Sequence, residues 1–164
     1  MTRRDKTNYY LDIAEAVSNR STCLRRKFGA VVVKNDEIIS TGYNGAPRGR
    51  QNCIDLDFCY RERLGVPRGQ RYELCRSVHA EANAIISASR SDLLGSTLYL
   101  ACHDAKTDVL DGTVEPCSMC KRLILNAGIE SVVIREDHDR FRIITTADWI
   151  ADDDSLNVTD GPGY

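Results

Sequence analysis

The sequence predicts an α/β protein in which one mixed β-sheet carries helices on both faces. Three observations lead to this prediction. The chain has 164 residues, of which 42% are hydrophobic and 28% charged, as expected for a single globular domain over residues 1–164. A β-hairpin pattern lies in the first quarter of the chain. Helical and extended patterns then alternate in the second half, which is typical of α/β folds.

The first half of the chain contains one helix, one hairpin and one long loop. Apolar side chains recur at four-residue spacing over residues 5–19 and predict an amphipathic helix. The β-branched run 28–33 and the segment 37–43, joined by a short turn, predict the hairpin. Residues 44–76 carry irregularly placed Gly and Pro and predict a loop with a short helical turn near residues 57–64.

The second half alternates between helices and strands. In chain order we expect a helix over 78–90, a strand over 97–101, an irregular segment over 102–115, a helix over 117–127, strands over 131–135 and 141–145, and a short helix over 146–153. Residues 155–164 are expected to fray. Ligands of such sheets bind beyond the carboxyl ends of the strands, where residues 102–117 and 136–140 begin.

Composition restricts the location and the kind of partner. The chain has no run of about 18 apolar residues, and MTRRDKTNYY at its start has no apolar signal core, so we expect a cytoplasmic protein without a membrane partner. In that reducing compartment, seven cysteines indicate metal binding or catalysis rather than disulfides.

Charge is unevenly distributed along the chain. The net charge of −2 argues against a stable nucleic-acid partner. Residues 20–76 contain 12 Lys or Arg against 6 Asp or Glu, a net of +6. This segment either docks an anionic ligand or forms a solvated surface with salt bridges between subunits.

Two short motifs bring together the residue types of a catalytic zinc site. His79-Ala80-Glu81 opens one predicted helix, and Pro116-Cys117-Ser118-Met119-Cys120 opens another. One imidazole and two thiolates form a three-ligand set that leaves the fourth position of Zn²⁺ open, as in catalytic sites. The carboxylate of Glu81 is then the proton carrier.

Helix geometry places the metal between two helix N-termini. Residues two apart on a helix point in nearly opposite directions, so His79 and Glu81 converge only beyond the end of their helix. Ser77 is the expected cap of that helix, and Pro116 is expected at the first position of the other. The positive ends of both helices stabilise thiolates.

The combination H-x-E with P-C-x-x-C is the signature of zinc deaminases, including cytidine, cytosine, guanine and tRNA-adenosine deaminases. A lone C-x-x-C is often a structural zinc knuckle or a redox pair. The alternative to a catalytic site is therefore a closed structural zinc site or a set of buried thiols.

Three segments resemble the deoxycytidylate (dCMP) deaminase family and its late-competence-type bacterial relatives: TGYNGAPRG (41–49), VHAEANAI (78–85) and EPCSMCKRLILNAGI (115–129). The resemblance covers about residues 5–150. It implies the cytidine deaminase-like fold, a three-layer α-β-α sandwich with a five-stranded mixed sheet. It also implies zinc-dependent hydrolysis of dCMP to dUMP and ammonia, a reaction of pyrimidine nucleotide metabolism that supplies dUMP for thymidylate synthesis.

The resemblance also assigns roles to residues. Zinc activates water for attack on C4 of cytosine, and Glu81 carries protons to N3 and to the departing amine. The base edge is held around Ala80, Pro116 and Ser118, and Asn44 contacts the sugar.

For the phosphate, Arg26 is the preferred candidate by charge and position, ahead of Lys27, Arg48 and Arg140. Gly45 and Gly49 would let backbone amides approach a nucleotide effector, dCTP as activator or dTTP as inhibitor, with Mg²⁺. The family also implies a homo-oligomer, often a hexamer.

The stretch CHDAKTDVLDGTVE (102–115) is longer than in many family members, which puts substrate contacts there in doubt. His103 in this stretch is interpreted as a polar loop residue rather than a pocket residue, His138 has no partner that the sequence identifies, and Cys102 is interpreted as a buried small hydrophobe. Two rival functions remain: deamination of another amine, such as cytidine or tRNA adenosine, and a non-catalytic zinc-stabilised binding module.

A second, structural zinc is predicted at Cys23, Cys53, Cys59 and Cys75, the thiols left after the catalytic pair and Cys102 are set aside. Three of them lie in the loop 44–76, which has few apolar residues to anchor it. The ion would be remote from the chemistry and would order the loop that carries Asn44. Buried free thiols are the alternative.

Overall fold

The computed structural model describes residues 2–153. Its strands are β1 (Arg26–Lys34), β2 (Glu37–Tyr43), β3 (Thr97–Asp104), β4 (Ser131–Arg135) and β5 (Phe141–Thr145). Its α-helices are α1 (Lys6–Ser18), α2 (Cys53–Leu56), α3 (Tyr60–Arg63), α4 (Ala80–Ile86), α5 (Arg90–Leu93), α6 (Ser118–Ala127) and α7 (Thr146–Ala151). A 3-10 turn covers Tyr72–Leu74. In this part of the chain, every helix is too short or too polar to cross a membrane.

The strands form one mixed sheet in the order β2-β1-β3-β4-β5. Strands β3 and β4 pair in parallel, with α6 in the connection between them, and the other neighbouring strands pair antiparallel. Parallel neighbours require such a crossover, whereas the antiparallel β1 and β2 are joined by a tight turn. The predicted mixed sheet of five strands is confirmed.

Alternation of side chains along the strands builds two cores, one on each face of the sheet. On one face, Val31 and Ala101 pack against Tyr10 and Ala14 of α1. The opposite face packs against α4 and α6 through a larger group of apolar residues: Ala30, Val32, Leu98, Leu100, Ala84 and Ile124. Helices therefore cover both faces, as the sequence predicts.

Two glycines allow helices to lie directly on the strands. A Cβ atom on Gly29 would lie 1.9 Å from the Ala14 carbonyl oxygen of α1. A Cβ atom on Gly42 would lie 2.3 Å from the carbonyl oxygen of Ala80, at the start of α4. The absence of a side chain at Gly42 thus sets how closely the first turn of α4 approaches the sheet.

Several predicted boundaries are wrong. The helix predicted over 78–90 is two helices, because Ser89 caps the Asp92 amide and starts α5 anew after α4 has ended at Ile86. Strand β3 continues beyond the predicted end at residue 101, because its last residues also pair with β1, and Asp104 lies opposite Arg26. The loop 44–76 holds two short helices and a 3-10 turn. The predicted frayed tail, 155–164, lies outside the described residues.

Candidate metal centre

His79, Cys117 and Cys120 meet at one point of the fold. Their ligand atoms all lie within 4.8 Å of one another, and no other group of three or more His, Cys, Asp or Glu residues between positions 2 and 153 meets this criterion. The His79 Nδ1 atom lies 3.4 Å from the Cys117 Sγ and 3.5 Å from the Cys120 Sγ. One nitrogen and two sulfurs form the donor set that suits Zn²⁺, so the residues present fit the predicted metal.

Two helix N-termini place these side chains. His79 is the N-cap of α4 and Cys117 is the N-cap of α6, and both have extended backbones that let the side chain reach beyond the helix end. The cap predicted at Ser77 is wrong, because the helix begins at Ala80 and His79 occupies the cap position. Pro116 likewise precedes the cap of α6 instead of opening the helix. The predicted position of the metal, between two helix ends, agrees with this geometry.

The three metal-site side chains perturb one another's protonation. Hydrogen bonds from Cys120 and His79 lower the pKa of Cys117 to about 4, against the opposing effect of burial. Burial alone lowers the pKa of His79, but hydrogen bonds to Cys117 and Cys75 outweigh it and raise this pKa to about 10. The hydrogen bond to the Cys117 thiolate raises the pKa of Cys120, and burial raises it further. Without metal, the site at neutral pH is therefore a thiolate–imidazolium pair beside a thiol.

Glu81 lies directly beside this group. The residue is 3% exposed, and burial raises the pKa of its carboxyl group above the ordinary value. Its side chain is hydrogen-bonded with Cys120. A carboxyl group whose pKa is raised above its ordinary value, held next to a three-ligand metal site, is suited to accept and return protons.

A cavity of about 240 Å³ opens onto the metal site. Of the residues predicted to bind substrate, Asn44, Ala80 and Arg26 line it, whereas Pro116 and Ser118 are not among its lining residues. Asn44 is fixed by β1, since its Oδ1 accepts from the Phe28 amide at 2.9 Å and its Nδ2 donates to the Arg26 carbonyl at 2.8 Å.

The predicted effector glycines lie in the segment after β2. The amide of Gly45 donates to the Val78 carbonyl at 3.2 Å, and the Gly45 carbonyl accepts from the Val78 amide at 2.8 Å. These two hydrogen bonds connect the segment to Val78, the residue before His79. The Gly45 amide is therefore already bonded and is not available to a nucleotide. Gly49 has a positive φ of 85°, and a Cβ atom there would meet nothing within 4 Å, so glycine is required by the backbone conformation rather than by close packing.

Four arginines line the cavity, and sequence reasoning identified only Arg26. Arg26 forms an ion pair with Asp111, and the Nη2 of Arg68 lies 3.7 Å from the same carboxylate. Arg25 forms an ion pair with Glu62 at 2.9 Å. Arg61 is the fourth arginine that lines the cavity. The only sequence signal for Arg25, Arg61 and Arg68 was the positive net charge of residues 20–76, which does not predict which arginines face the cavity.

The other candidate side chains lie elsewhere. Lys27 forms an ion pair with Asp108, and Arg140 forms one with Asp137. Lys27, Arg48 and Arg140 do not line the cavity. His103 belongs to β3 instead of a loop, and its Nε2 lies 3.2 Å from Glu15 of α1, on the sheet face opposite the metal site. His138 is exposed, 3.8 Å from Asp139.

The four cysteines of the predicted second zinc site lie near Cys53, but no three of their sulfur atoms lie within 4.8 Å of one another. Burial raises the pKa of the Cys53 thiol, and the thiols of Cys23, Cys75 and Cys59 raise it further. Three of the four line the cavity, and Cys75 is hydrogen-bonded to His79. The expectation that this cluster is remote from the chemistry is therefore wrong, because the loop folds back onto the metal site.

Comparison with known proteins gives a consistent result. A sequence model described as the cytidine and deoxycytidylate deaminase zinc-binding region matches residues 4–136. A deoxycytidylate deaminase of Mycobacterium phage D29 is 44% identical over 81% of this chain and 96% of its own length. The Schizosaccharomyces pombe deoxycytidylate deaminase is 32% identical over 80% of this chain, a match that spans only 37% of the yeast protein.

A solved structure supports the same assignment. The dCMP deaminase of cyanophage S-TIM5, solved in complex with dCMP and dUMP, has a TM-score of 0.54 and 28% identity to this chain. The match covers 80% of this chain and 82% of that one.

Proposed function

Because the chain belongs to the cytidine and deoxycytidylate deaminase family, we propose that it hydrolyses dCMP to dUMP and ammonia, supplying dUMP for thymidylate synthesis. The observation that carries the proposal is the buried carboxyl of Glu81 beside the His79, Cys117 and Cys120 ligand set. A purely structural zinc site has no use for such a carboxyl group, so this observation disfavours the binding-module alternative.

Glu81 moves the protons of the reaction. His79, Cys117 and Cys120 would hold the zinc, which when bound would supply the Lewis acidity that makes a water nucleophilic near neutral pH. Glu81 accepts the proton of that water, delivers it to N3 of the cytosine and then helps to protonate the departing amine. Its burial keeps bulk water from competing for these transfers.

Backbone groups and Asn44 hold the base and the sugar. Ala80 follows His79 and lines the cavity, which supports a contact between its backbone and the base edge. Pro116 and Ser118 flank Cys117 but do not line the cavity, so their part in holding the base rests on the family resemblance. Asn44 has a second Nδ2 hydrogen beyond the one donated to the Arg26 carbonyl. We assign that hydrogen to a sugar oxygen.

Arg26 is the proposed anchor of the phosphate. It lines the cavity with Arg25, Arg61 and Arg68, and its ion pair with Asp111 fixes one edge of the guanidinium. An Arg–phosphate contact in a partly buried site is worth about 2 kcal/mol, so dCMP should exceed deoxycytidine in kcat/KM by at least about thirtyfold. In Arg26→Ala this preference should fall about tenfold or more, whereas Lys27→Ala, next to it but outside the cavity, should keep it.

A second zinc bound by Cys23, Cys53, Cys59 and Cys75 is part of the proposal. The effect of the other three thiols on the pKa of Cys53 supports their proximity to it. Their sulfur atoms are less closely grouped than the ligand atoms of His79, Cys117 and Cys120, so zinc binding would have to draw them together. Metal analysis should give two zincs per chain in the wild type and one in Cys53→Ser. One zinc per wild-type chain, with these four thiols freely reactive, would exclude the site.

Regulation and assembly complete the proposal. Effector binding near Gly45 and Gly49, with dCTP or dTTP and Mg²⁺, rests on the family resemblance of residues 41–49, and Gly49 is the better candidate because the Gly45 amide is bonded to the Val78 carbonyl. None of the seven cysteines is in a disulfide, which is compatible with the proposed reducing cytoplasm. A homo-oligomer, often a hexamer in this family, is expected. Light scattering, with dCMP kinetics in the presence of each triphosphate, tests assembly and regulation.

The deciding experiment is an ammonia-release assay on dCMP, CMP, deoxycytidine, cytidine and dCTP, with zinc content measured on the same sample. Strong preference for dCMP supports the proposal. Equal efficiency on nucleoside and nucleotide would favour a cytidine deaminase instead, and zinc without turnover of any substrate would favour the binding module. Release from a tRNA anticodon stem would favour the tRNA-adenosine alternative.

A further inference from the structure

Arg61 is a buried arginine that stabilises part of the loop 44–76 by contacts with other residues of the same loop. This arginine is 5% exposed, and its Nη2 donates to the backbone carbonyls of Pro67 and Gln70. Its guanidinium lies over the ring of Tyr72, 4.4 Å from the ring centroid. A buried cation that is stacked on an aromatic face and bonded to two carbonyls leaves that ring little freedom to move.

The ring of Tyr72 packs in turn against the metal-site histidine. The Tyr72 and His79 centroids are 5.2 Å apart and their planes are 87° from parallel, which is an edge-to-face contact. The Nδ1 atom of this histidine faces the thiols of Cys117 and Cys120. Cys75, three residues after Tyr72, is hydrogen-bonded to the same imidazole.

We propose that Tyr72, locked by Arg61, is a positioning residue that holds the His79 imidazole in the orientation required to bind the catalytic metal. This inference rests on the assignment of His79 as a zinc ligand under the proposed function. It adds an aromatic contact, supplied by the loop, to the site formed by the two helix ends.

The physical reason lies in the freedom of the imidazole. His79 is an N-cap residue on extended backbone, so helical packing does not fix its ring. The orientation of the ring is set by its contacts. Its Nδ1 atom faces the Cys117 and Cys120 thiols, and Tyr72 and Cys75 contact it from the loop. Removing an outer hydrogen-bond partner of a metal-binding histidine typically weakens metal binding by about 10- to 100-fold. An edge-to-face ring contact is weaker, and its loss corresponds to about 2- to 10-fold.

The same contact links the two cysteine clusters. Cys59 is the N-cap of α3, which carries Arg61, and Cys75 caps the 3-10 turn that carries Tyr72. The fold of the loop therefore affects the metal ligand His79 through two contacts: Arg61 stacked on Tyr72, and Tyr72 edge-to-face with His79. Loosening the loop should weaken metal binding at His79 without any change in its three ligands.

The test uses zinc-loaded full-length protein and three variants. Tyr72→Leu removes the aromatic ring, Tyr72→Phe retains it, and Tyr60→Leu removes an exposed tyrosine of the same loop that does not line the cavity. The readouts are the rate of zinc transfer to a chelator, the visible spectrum of the cobalt-substituted protein and the thermal midpoint. The release phase that disappears in Cys120→Ser identifies the catalytic ion.

We expect zinc release about three- to tenfold faster in Tyr72→Leu, with a changed cobalt spectrum, and wild-type behaviour in Tyr72→Phe and Tyr60→Leu. A release rate and cobalt spectrum like the wild type in Tyr72→Leu would overturn the inference. So would a lowered thermal midpoint with unchanged metal readouts, because this would make Tyr72 merely structural. These readouts need no substrate, so an inactive wild type that shows the expected zinc release would refute the proposed function alone.

Discussion

The Nδ1 atom of His79 lies 3.4 Å from the Sγ atom of Cys117, although 38 residues separate them in the chain. The contact joins the caps of α4 and α6, which pack on the same face of the sheet. Each helix end supplies part of the metal site and neither supplies all of it. The site therefore depends on how the two helices are seated on the strands.

Zinc binding should be strongly pH-dependent. Without metal, His79 is protonated below its pKa of about 10, and Cys120 keeps its proton because its pKa is raised, whereas Cys117 is already a thiolate above about pH 4. Zinc requires all three ligands deprotonated, so binding at neutral pH should release about two protons. Affinity should therefore rise with pH, by about two orders of magnitude per unit.

Calorimetric zinc titrations of the metal-free protein, in buffers of different ionisation enthalpy, measure this release directly. A Cys53→Ser background removes the contribution of the proposed second site. Zinc affinity that is independent of pH across the neutral range would contradict the assigned protonation states.

Gly42→Ala should disturb the metal site from outside it. The added methyl group would lie 2.3 Å from the Ala80 carbonyl oxygen and 2.4 Å from the Ala84 amide nitrogen, so α4 must move away from β2. Such overpacking costs about 1–3 kcal/mol in unfolding free energy, and here it displaces the helix that His79 caps. We expect lower stability in urea and lower zinc content. Thr41→Ala, an exposed neighbour on β2, should change neither.

If Gly42→Ala matched the wild type in both measurements, α4 would not be seated as described. A loss of stability with full zinc content would separate packing from metal binding and would weaken the link between them.

Arg135→Ala should be the more damaging of two arginine substitutions in urea unfolding. The Arg135 side chain is fully buried, and its Nη2 lies 2.6 Å from Asp12 and 3.0 Å from the Asn8 carbonyl oxygen of α1. Its loss leaves a cavity and unpaired groups between α1 and β4, and should lower the unfolding free energy by about 3 kcal/mol. Arg140→Ala removes only an exposed ion pair with Asp137 and should have a far smaller effect. Equal effects would show that the buried network adds nothing to stability.

The sequence predicts the sheet, its two helical layers and the metal ligands because each leaves a periodic or spaced signal. Val31 and Val32 face opposite sides of the sheet, and because helices cover both faces the strand is a continuous apolar, β-branched run, which is the signal from which it is predicted. The His79 and Cys117 motifs are short and sit at helix starts, where a few residues determine the geometry.

The rest could not be predicted, for physical reasons. Arg61 and Tyr72 lie in a loop without periodicity, and their contact with each other and with His79 depends on how that loop folds back. The pairing of Arg26 with Asp111 joins the start of β1 to the segment after β3, which follows from strand register rather than local pattern. The end of α4 was mispredicted because the Ser89 cap restarts the helix within a continuous helical pattern.

Glu81→Gln tests the central claim most directly, in an ammonia-release assay on dCMP with zinc measured on the same sample. Glutamine keeps the size of the side chain but cannot carry a proton, so turnover should fall at least about a thousandfold while zinc content stays at the wild-type level. Glu73→Gln, which alters an exposed carboxylate paired with Arg71, should keep wild-type turnover. Retention of more than about a tenth of the wild-type rate by Glu81→Gln at full zinc occupancy would contradict the account, because the buried carboxyl would then not carry the protons.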